Sequence, residues 1–403
     1  MKIKRRTMIW IFLVLPFFYP SSIEGTVFST IWYRWKLCAV FCGSIYILLR
    51  IKKLKYLEKS TWFIILMYVM QIISSLINKL DVSYDLKNTI MMSVFVLVTS
   101  LILYEYGNKG IIFFYKLMNI FIWLNFLSVI LLYDKGLARD SYDTVIYFWS
   151  TKNHIISLTL VYLVILFYLY NESYICKKKC VLETSIAAFS VFLMGSSTAI
   201  TALIVYGAFI WLCEIYKKRK KTVNIKLGII IGVIADIAIV VLRIQERLGG
   251  LIGTLFGKDT TLTGRTDLWD QAIQLIGLNF LYGKGNSYDL NQYGWLTKSY
   301  WNNKTQALEE VYFVAHNQFL EILVNGGIIC LIPFMLFWGS MIKSVRKIQN
   351  FKYKNIVAAA VLSYFIAMIT DLITPYEPLY LFILVSSYFY KCEKMIKKDD
   401  ENE

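Results

Sequence analysis

Charge is scarce in this chain. Asp, Glu, Lys and Arg together make up 17% of its 403 residues, against 57% hydrophobic ones, which is too little to solvate a globule of this size. Histidine is scarcer still, with only His154 and His316. A zinc site needs more ligands than Cys176 and Cys180 offer around their three lysines, so these two read as idle thiols. The seven cysteines all fall in apolar runs or in loops assigned to the cytoplasm, and no outer-face disulfide is expected. A small-x-small cleavage site is missing after the first apolar run, so the KIKRR start and MIWIFLVLPFFYP that follows are a first span and not a removed leader. Also lacking are self-similarity between the halves, low-complexity tracts and any soluble domain. The net charge of +16 has no continuous basic stripe behind it, which excludes nucleic acid as a partner.

What is present is apolar residues in blocks. Runs long enough to cross about 30 Å of hydrocarbon fall near 8–20, 37–49, 61–78, 88–104, 111–133 and 155–170 in the first half, and near 181–195, 198–215, 225–242, 316–338, 356–371 and 377–390 in the second. The expected fold is an all-α polytopic membrane protein of about 12 transmembrane helices, one integral domain over residues 1–403. Twelve spans place both termini on one side. The segments then assigned to the cytoplasm carry 28 Lys plus Arg against 7 in the short outer loops, as the positive-inside rule requires. The clusters at 177–179 and 217–221 both demand the cytoplasm, so the residues between them form a hairpin turning at Gly195-Ser196-Ser197-Thr198.

One long polar stretch, residues 243–315, interrupts this pattern and is read as a large extracytoplasmic loop containing short helices. It holds the residues on which chemistry could rest. Thr263-Gly264-Arg265-Thr266-Asp267 precedes an amphipathic segment in which Trp269, Ala272, Ile273 and Ile276 share a face, with Thr266 available as a cap. An arginine beside a helix N-terminus suits a phosphate or pyrophosphate; an interfacial helix whose arginine snorkels to headgroups is the other reading. The Gly277 to Gly285 stretch has the wrong spacing for a Walker loop, and Gly285 stands where Ser or Thr would hold magnesium. It reads as a Gly-x-Gly turn packing the loop on the membrane domain.

His316 and Asn317 stand at the mouth of the tenth span. An imidazole there can take a proton from a sugar hydroxyl, or it can cap the span. Gly326-Gly327 downstream permits a close helix crossing. Lys152-Asn153-His154 forms a second cationic, hydrogen-bonding cluster at the entrance of the sixth span, unless the loop is simply solvated there. Asp236, inside the ninth span, needs a partner or a function.

Taken in order, Gly264-Arg265-Thr266-Asp267-Leu268-Trp269, Gly283-Lys284-Gly285, His316-Asn317-Gln318-Phe319-Leu320 and Gly326-Gly327 resemble the O-antigen polymerase and ligase superfamily, the polytopic glycosyltransferases that act on lipid-linked sugars outside the cytoplasmic membrane. Lys152-Asn153 is similar to that family's Lys-Asn. Ser197 departs from it, standing where many members have arginine, with Lys152 or Lys284 as possible substitutes.

The resemblance implies a metal-free glycosyl transfer, without cofactor, from an undecaprenyl-pyrophosphate-linked oligosaccharide. The expected place is the bacterial cytoplasmic membrane with both termini cytoplasmic, and the expected partners are membrane lipids, a flippase and a chain-length regulator. Arg265 and His316 become the catalytic pair, with Lys152, Asn153, Lys284 and Asn317 on the lipid pyrophosphate or glycan. Polymerisation of a capsular, exo- or O-antigen polysaccharide is favoured over ligation to lipid A core or protein. A lipid-linked oligosaccharide flippase would instead show related halves and polar residues converging at midplane. A scaffolding membrane protein would leave the Arg and His unexplained.

Overall fold

The computed structural model describes residues 5–133, 135–139, 144–216, 225–244, 264–286, 294–302, 307–373 and 377–400. The basic cluster at 217–221, Thr263 and the loop stretches 245–263, 287–293 and 303–306 lie outside the described residues.

In chain order the described α-helices are α1 (Arg5–Val14), α2 (Val27–Leu48), α3 (Lys59–Ile77), α4 (Ser83–Tyr106), α5 (Asn108–Leu131), α6 (Ile155–Asn171), α7 (Lys177–Met194), α8 (Ser197–Tyr216) and α9 (Ile225–Asp236), which continues as a π turn over Ile237–Val241. Then come α10 (Arg265–Leu278), α11 (Gln318–Val345), α12 (Phe351–Thr370) and α13 (Glu377–Asp400). A helix therefore lies at the position of every expected span. Among the described residues, six of these helices, α3, α4, α5, α8, α11 and α12, are long and apolar enough to cross a membrane by length and composition. The other expected spans fall short by that measure for identifiable reasons: α1 has 10 residues, and α7 opens on three lysines.

Helix α6 explains its own brevity. It has 17 residues and is buried from Ile155 to Leu166 without interruption, apolar on every side, as a helix enclosed by others must be. Having little face to present to lipid, it serves as a central post against which α5, α7, α12 and α13 pack. Its ring contacts are close, with Tyr168 stacked on Phe389 at 4.3 Å between centroids.

The loop differs from expectation in kind. Its described residues include a 14-residue helix, α10, and an antiparallel hairpin of β3 (Leu296–Asn302) and β4 (Ala307–Phe313), with Leu296 opposite Phe313. A shorter ladder, β1 (Ala138–Arg139) with β2 (Val145–Ile146), lies in the segment before α6. Both ladders were invisible to a search for apolar blocks. The β3 and β4 sequences LTKSYWN and ALEEVYF carry the aromatic and β-branched residues that favour strands.

Two short-range expectations also change. Thr266 does not cap α10: the cap position is Gly264, in the left-handed region at φ 73°, and Thr266 is buried in the first turn. The buried face of α10 runs through Leu268, Trp269 and Ala272, while Ile273 is turned outward.

The Gly283-Lys284-Gly285 turn lies on the broken part of α11. Gly327 leaves helical geometry at φ 62° and ψ −165°, and the freed carbonyls take up the turn: Lys284 N donates to Val324 O at 2.7 Å and Gly285 N to Asn325 O at 2.8 Å. A Cβ on Gly283 would stand 2.7 Å from the backbone of Asn325, Gly326 and Gly327. The two glycine motifs thus serve one another, and Gly326-Gly327 admits both this loop and helix α3, whose Gln71 Oε1 would lie 3.1 Å from a Cβ on Gly326.

Candidate functional site

Five helix termini meet at one end of the bundle. The C-terminus of α12 supplies the carbonyls of Ile369 and Thr370 and the side chain of Asp371, at its cap. The N-termini of α6, α8, α10 and α11 surround it. Asn317 Nδ2 donates to Ile369 O at 3.1 Å, Arg265 Nη1 donates to Thr370 O, and the Thr198 and Thr370 hydroxyls lie 2.8 Å apart. His154, at the cap of α6, places Nε2 3.7 Å from Asp371 Oδ1. The four N-termini bring partial positive charge to this point, and the one C-terminus brings carbonyls that a guanidinium can satisfy. An arginine at the first position of α10 is therefore stable here before any anion arrives.

His316 is fixed by its neighbours. The preceding residue is clamped on both polar atoms: Ala315 N donates to Glu321 Oε2 at 2.7 Å, and Ala315 O accepts from Trp269 Nε1 at 2.9 Å. The following residue, Asn317, caps α11 by accepting from Phe319 N at 3.0 Å and Leu320 N at 2.9 Å. Between these anchors His316 takes φ 48°, a left-handed conformation uncommon outside glycine and seen more often in Asn, Asp and His. Its Nδ1 is buried and makes no hydrogen bond among the described residues. Such an atom, in a strained turn held on both sides, marks a functional position.

The charges around it set its protonation. Burial first, then the Arg265 guanidinium, push the His316 pKa down to about 4; Asp371 opposes this, while His154 and Lys298 add to it. Burial also lowers the pKa of Arg265, which Asp371 counters. For Asp371 burial would raise the pKa, but the hydrogen bond and charge of His154, the charge of Arg265 and the Leu372 N–H outweigh it and hold the carboxyl below its usual range. Asp371 Oδ1 accepts from Leu372 N at 2.9 Å, whereas Oδ2 is buried without a hydrogen bond among the described residues.

Of the six residues expected at the site, Arg265, His316 and Asn317 come together. Asn317 has a largely structural set of bonds, which also includes Asp236 Oδ1 at 2.6 Å; that pair answers what the carboxylate at the end of α9 binds. Asn153 reaches the edge of the cluster, its Oδ1 accepting from Ser196 Oγ at 2.8 Å. Lys152 is exposed beside it. Lys284 is placed elsewhere, with its ammonium 5.2 Å from the centre of the Trp295 ring.

Sequence reasoning did not single out Asp371, Thr370 or Lys298. Lys298, on β3, donates to Gly264 O and so brings a second cation to the start of α10. A lone carboxylate at the end of an otherwise apolar span was the available signal for Asp371. Among the described residues no group of His, Cys, Asp and Glu could hold a metal ion.

Comparison with known proteins falls on the stretch that builds this cluster. The O-antigen ligase family matches residues 184–335, which include Arg265 and His316 but not Asp371 or His154. A curated relative, the exopolysaccharide production protein ExoQ of Rhizobium meliloti (strain 1021), is 29% identical over 143 residues, 32% of this chain and 30% of the relative. The match thus spans less than a third of that relative's length. No solved structure matches. Over residues 184–335, which carry the Gly-Arg and His-Asn motifs now set at one site, the chain is similar to the O-antigen ligase family.

Proposed function

We propose that this protein is a polysaccharide polymerase that joins lipid-pyrophosphate-linked oligosaccharide units on the outer face of the cytoplasmic membrane. The observation that carries the reading is the placement of Arg265 and the unbonded Nδ1 of His316 at a meeting of four helix N-termini.

In the reaction the acceptor hydroxyl oxygen forms a bond to the anomeric carbon of the donor, and the bond from that carbon to the pyrophosphate oxygen breaks. His316 Nδ1 takes the hydroxyl proton. The electron pair leaves with the lipid pyrophosphate, whose growing charge Arg265 and the helix N-termini stabilise. An imidazole with a pKa of about 4 is neutral and ready to accept, but it is a weak base. A pyrophosphate brought against Arg265 and Lys298 adds negative charge beside it and raises its affinity for a proton. The donor thereby activates the base that its own transfer requires.

Ligation to lipid A core or protein would use the same donor chemistry with another acceptor. The relative is named for exopolysaccharide production, a product built by polymerisation, while the matched family carries the name O-antigen ligase. The test is polysaccharide chain length in deletion cells complemented with variants, with membrane protein levels matched. Arg265→Ala and His316→Ala are each expected to abolish long chains, a loss of roughly 100-fold or more in turnover. Arg265→Lys should also be poor, because a point charge does not reproduce the planar fork on two oxygens. Normal long chains from either alanine variant would overturn the assignment. Unpolymerised single units still transferred to an acceptor by wild-type protein would identify a ligase.

A further inference from the structure

A cavity of about 530 Å³ lies beside this site. It is walled by the beginnings of α4, α11 and α13, by α2 and by the later part of α3, and it shares Val314, Gln318 and Leu372 with the turn and cap that carry His316 and Asp371. Its size falls within the roughly 300–1,000 Å³ of small-molecule sites.

Its lining separates it from the anion site. Tyr33, Tyr68, Tyr84 and Trp32 face it, together with Asp85, Asn88, Glu321 and Asn325. Asp85 is held by Ser75 Oγ at 2.5 Å and Asn286 Nδ2 at 2.7 Å, and Glu321 by Ala315 N at 2.7 Å and Asn325 Nδ2 at 2.6 Å. The cations are engaged: Lys36 is 3.3 Å from Glu377, and Lys87 sits over the Tyr33 ring at 4.6 Å. A pyrophosphate would meet fixed carboxylates here. A polyprenyl chain would strand the carboxylates and amides against hydrocarbon.

A saccharide suits the same walls. The C–H faces of a sugar ring pack on aromatic rings, and its hydroxyls need rigid acceptors at the rim. Asn325 Oδ1, on the cavity wall, is buried and makes no hydrogen bond among the described residues, so it is an acceptor awaiting a donor. We propose that this cavity binds the uncharged saccharide of the acceptor and presents it to His316 past Val314 and Gln318. The proposal rests on the glycosyl-transfer reading.

The experiment uses full-length protein in lipid nanodiscs. The probe is the repeat-unit oligosaccharide freed by mild acid from the host's own lipid-linked precursor, followed by saturation-transfer NMR and equilibrium dialysis. Tyr84→Ala and Asn88→Ala should each weaken binding roughly tenfold or more, while Tyr84→Phe, which keeps the ring, binds nearly as wild type. His316→Ala should bind the oligosaccharide normally. Unchanged affinity in both alanine variants would overturn the proposal, as would variants that lose farnesyl phosphate binding and keep the saccharide. If cavity variants lose the saccharide while Arg265→Ala and His316→Ala still make long polymer, the cavity assignment stands and the catalytic one falls.

Discussion

At one end of α3 and α11 stands Glu58, and at the other, after a rise of roughly 40 Å along the 28 residues of α11, stands His316. Glu58 is buried and His316 half-buried with its Nδ1 enclosed, and their surroundings differ. The Glu58 carboxylate accepts from Ser344 Oγ and Tyr390 Oη at 3.0 Å each and pairs with Lys391 Nζ at 2.6 Å, while its backbone N–H donates to Tyr388 Oη. At the other end, His316 Nδ1, Asp371 Oδ2 and Asn325 Oδ1 are buried with no bond among the described residues. A group with its bonds complete holds helices together. An incomplete group in a strained turn, as at His316, with two more near it, is a candidate for a ligand contact.

The sharpest break of this contrast, after loss of Arg265 or His316 themselves, is Asp371→Asn. The carboxylate faces both Arg265 and His154, and removing its charge leaves the half-buried guanidinium, among the described residues, with the Thr370 carbonyl alone. Turnover should fall roughly 10- to 100-fold, about 1–3 kcal/mol of stabilisation, with the protein still folded. Rates from purified protein in vesicles, alongside thermal unfolding, check this; an unchanged rate would make Asp371 a helix cap alone.

The opposite outcome is expected at Glu58, whose own bonds are complete. Glu58→Gln keeps the shape but removes the charge from Lys391 and weakens the bonds from Ser344 and Tyr390, so stability should drop by about 1–3 kcal/mol. Turnover per folded molecule should stay within about twofold. Detergent-solubilised melting curves and rates normalised to folded protein separate the two. A rate loss equal to that of Asp371→Asn would erase the distinction between the ends.

How much of this could be read in advance follows from the range of each signal. The apolar blocks placed a helix at every expected span because burial in lipid or protein leaves a local record, and the Gly195 turn between α7 and α8 was legible for the same reason. The hairpin of β3 and β4 was not, since seven-residue strands in a polar loop have no block to mark them. Arg265 and His316 stood out as candidates because histidine is rare in this chain and because the ordered Gly-Arg and His-Asn motifs resemble a known family, and the structure brings the two residues together. Asp371 and Lys298 were not, since what makes them matter is a meeting with residues more than fifty positions away or across a hairpin, and single-chain spacing carries no trace of that. Lys284 illustrates the reverse error of scale: it sits in a motif with the right neighbours, yet its turn is anchored on Gly326-Gly327 and its ammonium lies on Trp295.

The finest test of the contrast is a pair of opposite shifts in pH dependence. The base proposed at His316 would work only when neutral, so activity should fall as pH drops toward its pKa, about 4 in the unliganded protein, and higher with the proposed pyrophosphate beside it. Lys298 is one of the positive neighbours that depress that pKa. Lys298→Met removes it, so protonation becomes easier and the acid limb of the rate profile should move to higher pH by a fraction of a unit. Asp371 is the negative neighbour that raises it, so the residual activity of Asp371→Asn should lose its acid limb at lower pH than wild type. Rate against pH from 4 upward, at saturating donor, resolves both. Limbs that move in the same direction, or not at all, would show that the titrating group is not His316.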